Sequence, residues 1–184
     1  MRRLLRRLRH WPDRLAHERR RAETIRAIRA AAPTRVVMGC LGNICRSPYA
    51  AERLRAAGLD LAVESAGFIG PGRSPPEEAV QMAAERGVDV SGHRSRQFTR
   101  DDLAPRTLVL VMEPAHVDRL AAQFGTAPGP VLLLGDLDPE PIETRIIIDP
   151  FGHSRATFAA TFARIDRCVA TLIESLGRGP GPTG

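Results

Sequence analysis

Nine consecutive residues, Cys40-Leu41-Gly42-Asn43-Ile44-Cys45-Arg46-Ser47-Pro48, constrain this chain more than any other stretch. The apolar run Arg35–Gly39 before them reads as a buried strand, and Ser47–Ala57 after them as a helix ended by Gly58. A loop that leaves a strand and opens a helix presents free backbone N–H groups and the positive end of the helix dipole, which together hold an oxyanion. Gly42 permits the tight turns such a loop needs. Arg46, with its planar fork of donors, can clamp two oxygens of a phosphate, and Cys40 then lies under the phosphorus. The field that holds phosphate also favours a thiolate, so the loop combines an anion site with a nucleophile. Ser47 is placed to donate to the sulfur and ease its departure in a second step.

The remaining apolar runs alternate with helical patterns. Leu61–Ser65, Thr107–Met112 and Val131–Leu134 read as strands, and Pro76–Arg86, Pro114–Phe124 and Ser154–Leu176 as helices. This alternation predicts an α/β domain: a central, mostly parallel four-stranded sheet with helices on both faces and the phosphate-binding loop after its first strand. Ligands of such sheets bind beyond the carboxyl ends of the strands, where Cys40 falls.

A leaving oxygen also needs a proton donor. Two Asp-Pro pairs compete, Asp138-Pro139 and Asp149-Pro150. Asp149 lies between the apolar run Ile146-Ile147-Ile148 and a long amphipathic helix, a better platform than the stiff Asp-Pro-Glu-Pro connection around Asp138.

Charge divides the chain. Its net +6 conceals +9 over residues 1–35 and −3 over the rest, and every basic side chain is arginine. The organisation expected is an arginine-rich helical extension over 1–33, a catalytic domain over 34–176 and a disordered Gly/Pro tail over 177–184. In the extension Leu4, Leu8, Trp11 and Leu15 recur at helical spacing, followed by Ile25 and Ile28. Three readings stand for it: packing on the domain or a second subunit, contact with an anionic membrane surface, or an acidic partner, with no specific nucleic acid. No run is apolar enough to span a bilayer, and arginines interrupt the N-terminal leucines. The expectation is therefore a cytoplasmic protein, with a peripheral position at the inner face of the membrane left open. Three cysteines, with no CxxC pair or His cluster, predict reduced thiols, no metal and no cofactor.

The nine-residue loop, together with Val63-Glu64-Ser65-Ala66-Gly67, Gly92-His93-Arg94-Ser95-Arg96-Gln97, Val109-Leu110-Val111-Met112 and Asp149-Pro150-Phe151-Gly152, resembles the low-molecular-weight protein tyrosine phosphatase family in its bacterial form. The resemblance implies hydrolysis of phosphotyrosine in proteins through a phosphocysteine intermediate, releasing inorganic phosphate. Cys40 is then the nucleophile, Arg46 the phosphate clamp and Asp149 the general acid and base. Asn43, Ser47, Ser65 and His93 form a hydrogen-bond network bracing the loop. Phe68, Ile69 and Phe151 are candidate walls for the aryl ring, and Cys45 a redox partner for Cys40. Ile44 stands where phosphoarginine-directed members tend to have threonine, which favours phosphotyrosine. Some bacterial members act on tyrosine kinases in exopolysaccharide control, an analogy only. Two alternatives remain: an arsenate reductase of the same fold, which Cys168 alone serves poorly as a redox relay, and a noncatalytic phosphoprotein-binding module. Gly39 departs from the pattern, since a larger apolar residue is common there, and a looser strand end is expected.

Overall fold

The computed structural model describes residues 11–177. Leu4, Leu8 and the tail from residue 178 lie outside them. Helix α1 spans Trp11–Ala31, and the chain then enters strand β1, Arg35–Cys40. There follow α2 (Arg46–Arg55), β2 (Ala62–Gly67), α3 (Glu77–Ala84), β3 (Thr107–Val111), α4 (Pro114–Phe124), β4 (Val131–Leu133) and α5 (Arg155–Gly177), with 3-10 turns at Arg100–Leu103 and Leu134–Leu137. The four strands form a wholly parallel sheet in the order β2-β1-β3-β4.

Strand alternation explains the two apolar layers. Val36 and Met38 of β1 face one cluster with Tyr49, Met82, Phe158, Phe162 and Leu172, filled from α2, α3 and α5. Val37 faces the other, with Phe68, Phe98, Val109, Val111 and Leu120. Ile28 of α1 is fully buried in the first cluster, so the arginine-rich helix packs on the domain. Gly58 and Gly87, read from sequence as helix stops, both adopt positive φ (65° and 71°), the left-handed conformation that ends a helix.

Gly39 is not a loose point. A Cβ there would lie 2.5 Å from Cζ of Phe98 and 3.0 Å from Cγ1 of Val111. Phe98 is buried and fills the space that a larger residue at position 39 would take, so the expectation of a looser strand end is corrected.

Candidate active site

The loop between β1 and α2 is built around Asn43, whose φ is +51°, in the left-handed region where Asn is among the few side chains tolerated. Its backbone N–H donates to Cys40 Sγ at 3.2 Å. Its side-chain amide donates to Ser47 Oγ and Ser65 Oγ, both at 2.9 Å, while its Oδ1 accepts the Arg96 N–H at 2.9 Å. The Asn43 carbonyl accepts from His93 Nε2 at 2.7 Å. One side chain thus ties the loop to the end of β2 and to the 93–96 segment. Ser47 Oγ lies 3.0 Å from Cys40 Sγ; because it already accepts from Asn43, its own proton is free for the sulfur. Burial lowers the His93 pKa, although the hydrogen bond to the Asn43 carbonyl opposes the shift.

No side chain caps the start of α2, where Cys45 is the boundary residue, so the first-turn N–H groups are left for an anion. Backbone contacts fix the other side of the loop. The Leu41 carbonyl accepts from Phe68 N at 2.9 Å and Ile69 N at 3.2 Å. A Cβ at Gly67 would lie 2.9 Å from both Asn43 N and the Leu41 carbonyl, so only glycine lets β2 approach this closely.

Arg46 is 1% exposed and spans the site. Its Nη1 donates to Glu113 Oε1 at 2.6 Å and to the Ile147 carbonyl at 2.9 Å, and its Nη2 donates to Asp149 Oδ2. Asp149 Oδ1 accepts from Phe151 N at 3.2 Å, which fixes the carboxylate at the rim. Cys40, Leu41, Gly42, Ile44, Cys45, Ile69, Arg73, Asp149 and Phe151 surround a cleft of about 120 Å³. A larger groove of about 550 Å³ lies between α1 and Pro139–Pro141, but no nucleophile lines it. Burial pushes the Cys45 thiol up, with the charges of Cys40 and Asp149 adding to the shift and Arg46 and Arg73 opposing it.

The structure brings together Cys40, Arg46, Asp149, the bracing set and two of the three candidate walls, Ile69 and Phe151, which are 41% and 54% exposed at the cleft. Phe68 is a correction. Side chains at 68 and 69 point to opposite sides, and Phe68 turns into the second apolar layer against Phe98 and His116, beneath the Arg119 guanidinium. Asp138, the rejected rival to Asp149, is fully buried and pairs with Arg164 and Arg167. Two residues were missed: Glu113 and Arg73. Glu113 follows the carboxyl end of β3, where site residues of a parallel sheet gather, and that placement was readable in the sequence.

A thiol and a buried guanidinium at the base of one anion cradle, on the carboxyl edge of a parallel sheet, define a cysteine-dependent phosphatase. The model of the low molecular weight phosphotyrosine protein phosphatase family matches residues 35–180, and the chain belongs to that family. It is 36% identical over 144 residues to the low molecular weight protein-tyrosine-phosphatase Wzb of Escherichia coli K12, covering 77% of this chain and 94% of that one. The crystal structure of Erwinia amylovora tyrosine phosphatase AmsI superposes with a TM-score of 0.72 at 31% identity, over 79% of this chain and 95% of that one. The YwlE arginine phosphatase from Geobacillus stearothermophilus gives 0.70 at 30% identity, over 79% and 94%.

Proposed function

We propose that this protein hydrolyses phosphotyrosine in proteins by two displacements on sulfur. The observation that carries the reading is the convergence of Cys40 Sγ, two donors to it, and the buried Arg46 guanidinium beside Asp149. Cys40 attacks phosphorus, and the P–O bond to the tyrosyl oxygen breaks. Asp149 gives that oxygen its proton. The resulting carboxylate takes a proton from water as the water attacks the phosphocysteine, releasing inorganic phosphate and the thiolate. Arg46 holds the equatorial oxygens through the transfer, and Ser47 donates to the departing sulfur. Ile69 and Phe151 flank the aryl ring.

The test is hydrolysis of p-nitrophenyl phosphate in EDTA, which Cys40→Ser should abolish. A wild-type chain that binds phosphopeptides without hydrolysing them would instead establish a binding module. The similarity to an arginine phosphatase gives a second reading, phosphoarginine. Ile44 in the cleft lining supports phosphotyrosine, and competing the two phosphopeptides in one reaction decides.

Cys45 supports a redox brake. Peroxide oxidises the Cys40 thiolate to a sulfenic acid, and the Cys45 thiol then displaces water to form a disulfide that an added thiol reduces. Cys45 lines the same cleft as Cys40, so the two thiols share one opening. Recovery of activity with thiol, lost in Cys45→Ser, is the expected result. The exposed Arg26 and Arg29 of α1 support contact with an anionic membrane surface, which co-sedimentation with anionic liposomes checks.

A further inference from the structure

The family match begins at residue 35, so α1 is an addition to the matched unit. Ile28, with Ile25 half-buried beside it, packs α1 on the first apolar layer, and the first half of the helix makes polar contacts of a different kind. His17 is 3% exposed and donates from Nε2 to the Asp138 carbonyl at 2.8 Å. Arg20 lies 3.8 Å from Asp136. Both contacts fall on the turn after β4 at the carboxyl edge of the sheet, the edge that carries the site.

That turn holds the segment leading to Asp149. Asp136 takes Arg145 in a fork, at 2.9 and 2.6 Å. The buried Asp138 carboxylate takes Arg167 in a second fork and Arg164 at 3.1 Å. Arg164 in turn donates to the Thr144 and Ile146 carbonyls, at 2.7 and 2.8 Å. The Ile147 N–H donates to the Met112 carbonyl, the Ile147 carbonyl accepts from Arg46, and the Ile148 carbonyl accepts from Thr161. The packing leaves no slack: a Cβ on Gly135 would stand 2.3 Å from the Arg145 carbonyl oxygen.

We propose that α1 is a positioning arm for the proton donor: by clasping the 134–138 turn through His17 and Arg20, it sets the 144–148 stem and with it the place of Asp149. The inference rests on the reading of Asp149 as the acid. The chain of contacts is continuous, by hydrogen bond from His17 and by a longer ion pair from Arg20, so release of the turn reaches the stem without passing through the phosphate loop. Cys40, Asn43 and Ser47 are anchored elsewhere, on β2 and the 93–96 segment, and of the loop only Arg46 touches the stem, through the Ile147 carbonyl and Asp149. Loss of the arm therefore affects the proton more than the phosphate.

The experiment compares kcat/KM for phenyl phosphate, a poor leaving group, with that for 2,4-dinitrophenyl phosphate, which leaves without a proton. The full chain is used, as wild type, His17→Ala, Arg20→Ala and Asp149→Asn. A positioned acid is worth about 10²- to 10⁴-fold, and a displaced one loses part of that. The expected result is a fall of about tenfold in the phenyl to dinitrophenyl ratio for His17→Ala, in the direction of Asp149→Asn. If His17→Ala does not fold, Arg20→Ala carries the same comparison. An unchanged ratio in the α1 variants beside a changed one in Asp149→Asn overturns the arm and leaves the acid standing. An unchanged ratio in Asp149→Asn removes the acid, and the proposal falls with it.

Discussion

Replacing Gly39 by alanine tests whether the residue before the nucleophile is small because Phe98 leaves no room. The backbone is not the obstacle, since Gly39 has no positive φ. Carbon atoms pack best at about 3.5–4.0 Å, whereas the new Cβ would start 2.5 Å from Phe98 Cζ and 3.1 Å from Cε2. The ring or the strand must give by about 1 Å. Val111 closes the other side at 3.0 Å, so the ring has to move. Overpacking of this kind costs about 1–3 kcal/mol, which in a domain of this size lowers Tm by about 2–12 °C. Thermal unfolding of wild type, Gly39→Ala, Phe98→Leu and the double variant closes a cycle. Leucine lacks the ring atoms that clash, so the pair should be coupled by about 1–2 kcal/mol, with the double variant more stable than the sum of the singles implies. Gly39 adjoins Cys40, so the alanine variant should also lose turnover, and Phe98→Leu should restore it. Additivity to within about 0.5 kcal/mol would refute the steric account.

Asp138→Ala should destabilise by about 3–5 kcal/mol in denaturant unfolding, because Arg164 and Arg167 are left facing a buried hole. Asn43→Ala removes the amide that joins Ser47, Ser65 and Arg96 and places alanine at φ +51°, so both Tm and kcat should fall, kcat by more than about tenfold. The lowered pKa of His93 means that the unfolded chain binds a proton before the folded one does. Stability should therefore decline as pH drops below about 6.5, the unfolded value, until the folded pKa is passed. In His93→Gln, Tm measured between pH 7 and 5 should fall less steeply.

Local patterns carried most of the architecture. Helix α4 occupies the expected residues, Pro114–Phe124, because proline opens it and glycine follows it. The strands were legible as short β-rich runs between turns, and a parallel sheet follows from their alternation with helices. The loop was legible because residue types at short spacing state their chemistry, and Asp149, singled out by its place between an apolar run and a helix, lies beside Arg46. Long-range pairings were not legible. Nothing local marks Asp138 as a buried anchor for two arginines of a helix almost thirty residues away, and the turn-forming Pro139 disguises it. Packing of α1 on the domain was among the readings that Ile25 and Ile28 allowed, but its polar contacts were not legible: the buried His17 Nε2 meets a carbonyl 121 residues distant. Phe68 misled because adjacent residues at a strand end share composition but not direction.

The brace at Asn43 has a thermodynamic consequence. Each donor and acceptor on that side chain is already committed within the protein, so the cradle meets its ordering cost during folding rather than on encounter with ligand. An oxyanion entering it should register calorimetrically as a small heat-capacity change, and amide exchange across residues 40–47 should be slow even in ligand-free protein.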